Sequence, residues 1–166
     1  EIEVDEDDFG DAYNLLAIYT TAMVLGAEEE EALIALSSLR PAPGRLENMR
    51  GPKDISVIID YAHTPDALEN VLKTLREISH ERELICLFGC GGDRDKSKRP
   101  EMGLIAQKLA DRIIVTSDNS RSEKTSDIMA DIKAGMDISG RAKSLFIEDR
   151  EEAIRTAIML AGPGAT

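Results

Sequence analysis

The feature that most constrains this chain is the pattern after residue 44, where four short apolar runs alternate with four amphipathic stretches. The runs fall at 55–59, 84–88, 113–116 and 145–147, and the stretches at 65–78, 100–110, 126–136 and 150–160. The runs have strand length, and the stretches carry apolar residues at helical spacing. Four βα units in series predict an α/β fold, a parallel sheet with helices on its faces and right-handed crossovers. Such a sheet holds its ligand at the carboxyl edge, in the loops that lead into the helices. With 42% hydrophobic residues among 166, the chain can bury one full core plus a small appendage.

Ahead of this pattern, Leu15, Leu16, Ile18, Tyr19, Ala22 and Met23 recur at helical spacing and Gly26 follows as a stop. A second helix over 28–39 puts Ala32, Leu33, Leu36 and Leu39 on one side, with Glu28 to Glu31 at the positive end of its dipole. Arg40-Pro41-Ala42-Pro43-Gly44 then breaks any helix and reads as a linker. The acidic excess is local: residues 1–31 hold eleven acids and no Lys or Arg, and the remainder is nearly balanced despite the net charge of −12. No basic stripe with interleaved aromatics supports nucleic-acid binding. Cys86 and Cys90 read as a strand and a turn residue, since two cysteines and two His supply neither a disulfide framework nor a metal set. No signal peptide or membrane-length apolar run occurs, which points to a reduced, cytoplasmic setting. An opening without Met and a stop soon after a helix suggest part of a longer protein.

Three of the rim loops are unusual. After the first strand, Asp60 precedes His63-Thr64-Pro65, where Thr64 and Pro65 read as a helix start. Capping leaves Asp60 and His63 unexplained; the carboxylate could accept from ribose hydroxyls and the imidazole could pack on a purine, or both could be incidental. After the second strand come three glycines in four residues, Gly89 to Gly92, which permit close backbone approach to a ligand but match no standard phosphate loop. The charges Asp93, Arg94, Asp95, Lys96, Lys98 and Arg99 that follow read equally as a solvated face or as a carboxylate site, where arginine presents a planar fork to two oxygens. After the third strand, Asp118-Asn119-Ser120-Arg121 is either an ordinary turn or, with Arg94, a polar pocket for a zwitterionic amino acid.

Together these strings resemble the Mur ligases, and within them the MurE type, which adds the third amino acid to a UDP-N-acetylmuramoyl dipeptide. The resemblance is carried by Tyr13-Asn14, Gly44-Arg45-Leu46-Glu47, Asp60-Tyr61-Ala62-His63-Thr64-Pro65-Asp66-Ala67, Gly89-Cys90-Gly91-Gly92-Asp93-Arg94-Asp95-Lys96, Lys98-Arg99-Pro100 and Thr116-Ser117-Asp118-Asn119, in that order, over about residues 10–161. It implies that 1–39 are the last helices of a central ATPase domain, 40–44 a linker, and 45–166 a Rossmann-like C-terminal domain truncated at its end. It also implies an ATP- and Mg2+-dependent reaction: ATP phosphorylates the peptide carboxylate, the amine of an amino acid attacks the acyl phosphate, and ADP and phosphate leave. Carried over by motif, Asn14, Arg45, Asp60 and His63 contact the nucleotide, and Arg94, Asn119 and Arg121 hold the amino acid. No catalytic or metal-ligating residue is implied in this chain. Positioning and charge stabilisation carry such transfers.

The diaminopimelate-selective form of the family reads Asp-Asn-Pro-Arg; here Ser120 replaces the proline, which should loosen the loop. Arg121 keeps a fork for the distal carboxylate that meso-diaminopimelate has and lysine lacks, so the resemblance favours meso-diaminopimelate. The family's phosphate loop and magnesium ligands lie upstream of Glu1 and a Gly-Lys-Gly-His-Glu-like segment beyond Thr166, so the chain alone is expected to be inactive. The partners implied are small molecules, namely ATP, the UDP-N-acetylmuramoyl dipeptide and diaminopimelate. A related amide ligase such as folylpolyglutamate synthetase, or a non-catalytic nucleotide-binding module, is the alternative.

Overall fold

The computed structural model of the chain describes residues 9–39, 44–79 and 81–166, with side chains from Leu15 onward. Pro41 and Pro43 of the linker fall outside the described residues. Two compact units are present, Glu1–Glu47 and Asn48–Thr166.

In the first unit, α1 (Phe9–Val24) and α2 (Glu29–Ser37) are the two expected helices, and they pack on one another. Gly26, at φ 88, ends α1 in a left-handed turn, and the Ala27 N–H returns to the Ala22 carbonyl at 3.0 Å. Glu29, Glu30 and Glu31 occupy the first turn of α2, where the dipole favours them. Ala32 is buried, but Leu39 is exposed, as are Leu16, Ile18, Val24, Leu25 and Ile34.

The second unit runs β1 (Glu47–Arg50), a 3-10 turn (Pro52–Asp54), β2 (Ser56–Ile59), α3 (Pro65–Ser79), β3 (Ile85–Phe88), α4 (Lys98–Leu109), β4 (Arg112–Thr116), α5 (Thr125–Ala134), α6 (Ile138–Ala142), β5 (Ser144–Ile147) and α7 (Arg150–Leu160). β3, β4 and β5 form a parallel sheet in that order, with Ile85 opposite Arg112 and Ile113 opposite Ser144. Alternation along the strands sorts the core. Cys86, Phe88, Ile113 and Val115 join residues of α3, α4 and α5 in the main cluster. Ile114 and Thr116, of the other parity, are buried where α7 packs through Ala153. Helices therefore cover both faces. Each fully buried Ile, Leu, Phe or Met contributes about 1.5–3 kcal/mol to this arrangement.

The expected run of four parallel strands is interrupted. β2 pairs with β1 in a separate two-stranded sheet. The chain's last two residues run between β2 and β3: the Ser56 N–H donates to the Ala165 carbonyl at 2.9 Å, the Thr166 N–H donates to Glu83 O at 2.9 Å, and Ile85 N–H donates to Thr166 O at 2.8 Å. The last two bonds have the offset of a parallel pair around Leu84. Gly162-Pro163-Gly164 carries no apolar alternation, so this return was invisible in the sequence pattern. The chain thus winds one way from β2 to β5 and reverses after β5, where α7 leads back to residues 165–166 beside β3. Sheets of this class hold ligands in the crevice outside the carboxyl ends of their strands.

Gly103 lets α4 approach α5 closely, because a Cβ there would lie 2.3 Å from the Ile132 carbonyl oxygen. Alanine ordinarily improves a helix over glycine by about 1 kcal/mol. Here the sign reverses, and Gly103→Ala is expected to destabilise by about 1–3 kcal/mol through overpacking. Thermal unfolding followed by circular dichroism checks this; a raised melting temperature would mean that the helices do not meet at this distance.

Candidate functional site

The loop after β2 is ordered by local bonds. Asp60 Oδ1 accepts from the Ala62 N–H at 2.7 Å. Thr64 Oγ1 accepts from the Ala67 N–H at 3.3 Å and the Thr64 carbonyl from the Leu68 N–H at 3.0 Å, with Pro65 as the first residue of α3, so the helix start read from the sequence is present. His63 stays exposed just before this cap, its Nδ1 3.1 Å from the Tyr61 carbonyl and its ring 5.3 Å from the exposed Tyr61 ring. Lys98 Nζ donates to the His63 carbonyl at 2.7 Å, which ties this loop to the start of α4.

The loops after β3 and β4 are stitched into one body. The Gly92 N–H donates to Asn119 O at 2.9 Å, and Arg121 Nη1 donates back to Gly92 O at 2.8 Å. Asp93 accepts from the Ser122 N–H at 3.2 Å and the Ser122 hydroxyl at 2.7 Å, while the Asp93 N–H donates to Glu123 Oε1 at 2.7 Å. The glycines serve this closure. A Cβ at Gly89 would stand 2.4 Å from Thr116 O, and one at Gly92 would stand 1.9 Å from Ser120 O. These close neighbours are the backbone at the end of β4 and in the loop that follows it. Asp93 and Arg121 face each other across the seam in left-handed conformations, at φ 52 and φ 49. Such conformers cost about 1–3 kcal/mol and persist only where surrounding bonds hold them.

Beneath the seam lies Arg99, fully buried in the first turn of α4. Its Nη1 donates to Glu123 Oε2 at 3.0 Å and to Asp131 Oδ2 at 2.8 Å; its Nη2 donates to Glu123 Oε1 at 2.8 Å and to Gly91 O at 3.2 Å. Lys96 Nζ adds a bond to Glu123 at 2.9 Å. The Arg99 guanidinium, followed by Lys96 and the Asp93 N–H, holds the Glu123 carboxyl well below the usual carboxylate range. Bonds from Ser122 lower Asp93 as well. Burial pushes the thiols the other way, Cys86 up to about 12 and Cys90 up to about 11, so both are packing residues, Cys90 beside Met102.

Of the residues singled out in the sequence, Arg94, Asn119 and Arg121 are brought together on the stitched loops, all exposed. An added Cβ at Gly91 would be 2.8 Å from Arg121 Nη1 and 3.9 Å from Arg94 Cγ, so both arginines pass the one bare surface there. Asp60 and His63 share the neighbouring loop. Arg45 lies in the first unit, exposed in the bend before β1. The Asn14 side chain falls outside the described residues. Ser120 does not leave its loop slack: its hydroxyl pairs with that of Thr125 at 2.7 Å. Arg99 and Glu123 were missed. The signal was present, because Arg99 shares a helical stripe with the buried Met102, Gly103 and Ala106.

Since the fold lowers the pKa values of Glu123 and Asp93 below their unfolded ones, it favours their ionised forms. Their stabilisation is full above the unfolded carboxylate range and is lost progressively as pH falls from about 5 toward the lower folded values. The melting temperature is expected to fall between pH 6 and pH 3, and Glu123→Gln to lower it at pH 6 and flatten that dependence. A variant with the parent's pH slope would show that this carboxylate is not the titrating group.

Residues 44–166 match the family model described as Mur ligase, glutamate ligase domain. The chain is similar to the UDP-N-acetylmuramoyl-L-alanyl-D-glutamate–2,6-diaminopimelate ligase of Syntrophomonas wolfei, 51% identical over 152 residues, covering 92% of this chain and 31% of that protein. With the protein of the same name from Bacteroides thetaiotaomicron the identity is 49% over 154 residues, covering 92% and 32%. A solved structure of a ligase so named superposes with a TM-score of 0.68 at 40% identity, over 95% of this chain and 32% of that one. The chain thus spans about a third of the length of the curated relatives it matches. With the motifs of the three loops in place, one after β2 and two on the parallel sheet, and the match running from Gly44 to the last residue, the chain belongs to the Mur ligase family.

Proposed function

We propose that this chain is the amino-acid-gripping portion of an ATP-dependent ligase that joins meso-diaminopimelate to UDP-N-acetylmuramoyl-L-alanyl-D-glutamate in peptidoglycan precursor synthesis, through an acyl phosphate. The observation that carries this is the pair of arginines at Gly91. Arg94 and Arg121 are exposed side chains on two loops that are bonded to each other, an arrangement suited to the carboxylates of a diamino dicarboxylic acid. Asn119 adds a neutral donor and acceptor beside them. The amine of the substrate is the nucleophile, and these residues orient it; none needs to take a proton.

In this proposal residues 1–39 close a central ATPase domain, 40–44 form a linker, and 45–166 form the C-terminal domain. The exposed apolar side chains of α1 and α2 support their packing within a larger body. Asn14, Arg45, Asp60 and His63 would contact the nucleotide, and the exposed Tyr61–His63 ring pair supports stacking on a purine. In this proposal Mg2+ is held mainly by other parts of the enzyme. A cytoplasmic setting fits these substrates, and no described helix is long and apolar enough to cross a membrane. No observation favours the folylpolyglutamate synthetase or the non-catalytic alternative.

The test is ADP release by the gene product that carries this chain, assayed with ATP, the UDP-linked dipeptide and either meso-diaminopimelate or L-lysine. Diaminopimelate should be preferred, and the isolated chain should release no ADP. Arg121→Ala should raise KM for diaminopimelate roughly 10–100-fold, as hydrogen bonds to charged groups are worth about 1.5–3 kcal/mol. Preference for lysine would overturn the role of Arg121.

A further inference from the structure

Two turns must hold their arginines at a fixed spacing if both are to meet one ligand. Each turn pivots on a strained residue, Asp93 just before Arg94, and Arg121 itself. One residue links the two turns. Glu123 stands two residues beyond Arg121 and accepts the N–H of Asp93, so its carboxylate holds the Gly92–Asp93 peptide, one residue ahead of Arg94, while its backbone continues the Arg121 turn.

Its four contacts fill it. Oε1 takes the Asp93 N–H at 2.7 Å and Arg99 Nη2 at 2.8 Å, and Oε2 takes Arg99 Nη1 at 3.0 Å and Lys96 Nζ at 2.9 Å. Its side chain is 15% exposed. A carboxylate so occupied has no face left for a ligand and acts only through its neighbours. Arg99 anchors it to α4 and, through Asp131, to α5, which are rigid elements of the main core. A second latch is independent of the buried charges: Ser122, adjacent to Glu123, donates twice to Asp93 from the protein surface.

We propose that Glu123 is a positioning residue for the amino-acid site, locking the turn that carries Arg94 to the turn that carries Asn119 and Arg121 and so setting the separation of the two guanidinium groups. The inference rests on the reading of these loops as the amino-acid site. Fork-to-carboxylate recognition is short and directional, and a misplacement of about 1 Å can cost up to roughly 100-fold.

The experiment uses the gene product that carries this chain, with KM measured separately for meso-diaminopimelate and for ATP. Glu123→Gln keeps the volume but exchanges one accepting oxygen for a donor. It should raise KM for diaminopimelate about tenfold while KM for ATP stays within about twofold, part of the range open to a misplaced group. Ser122→Ala, on the surface, loses the hydroxyl bond to Asp93 but keeps the backbone one; it should stay folded with only a small drop in melting temperature and raise the same KM by about threefold, one neutral latch being weaker than a charged one. If Glu123→Gln does not fold, Ser122→Ala decides. A purely structural role would lower the melting temperature or kcat without separating the two KM values. The inference is overturned if the folded variants keep the parent KM for diaminopimelate, or if both KM values rise together. A parent protein with no diaminopimelate-dependent ADP release fails at the earlier step: the functional reading falls, and this inference with it.

Discussion

A guanidinium with no exposure to water holds the rim of this domain together. Arg99 reaches Glu123 on one loop, Gly91 on another and Asp131 on α5, while standing on α4 itself. A charge in that position is tolerated because four bonds compensate it, although its Nε–H has no protein partner among the described residues. Removing a partner leaves this buried charge less compensated, so the bonds across the seam support one another. The chain of causes starts in the sequence. Glycine at 89 and 92 admits the neighbouring backbone, the loops then meet, and only then do Arg99 and Glu123 come within bonding distance.

Much of the fold was legible because it is written locally. Four apolar runs became β2, β3, β4 and β5 within a residue or so, and Thr64-Pro65 and Gly26 ended or began helices as their chemistry requires. What could not be read was long-range. Nothing in Gly162-Pro163-Gly164 announces that Ala165 and Thr166 will run between β2 and β3, and the short strand β1 carries no apolar alternation. Ser120 illustrates the same limit: as a single letter it is a looser residue than proline, yet Thr125, five residues on, supplies the bond that steadies it.

The candidate site was half legible for a related reason. Arg94, Lys96, Lys98 and Arg99 look alike in a charged run, and only packing separates them. Lys96 and Arg99 are engaged by Glu123 and Lys98 by the His63 carbonyl, so Arg94 is the cation of that run left facing outward without a hydrogen bond or ion pair among the described residues. A run of charges is usually solvent-facing, and that expectation fails at position 99 because helical period places it over Met102, Gly103 and Ala106. The helical period, followed through the charged letters as well as the apolar ones, marks the buried cation.

Arg121 spans its own seam, donating through Nη1 to the carbonyls of Gly92 and Asn119 at 2.8 and 3.4 Å. An anion that recruits this nitrogen must therefore exchange with two neutral acceptors already in place. The exchange is favourable for a full negative charge, whose bonds are roughly twice as strong as neutral ones, and unfavourable for a weaker acceptor. Discrimination at this position is thus comparative: the loop supplies an internal competitor, and a ligand registers only by outbidding it.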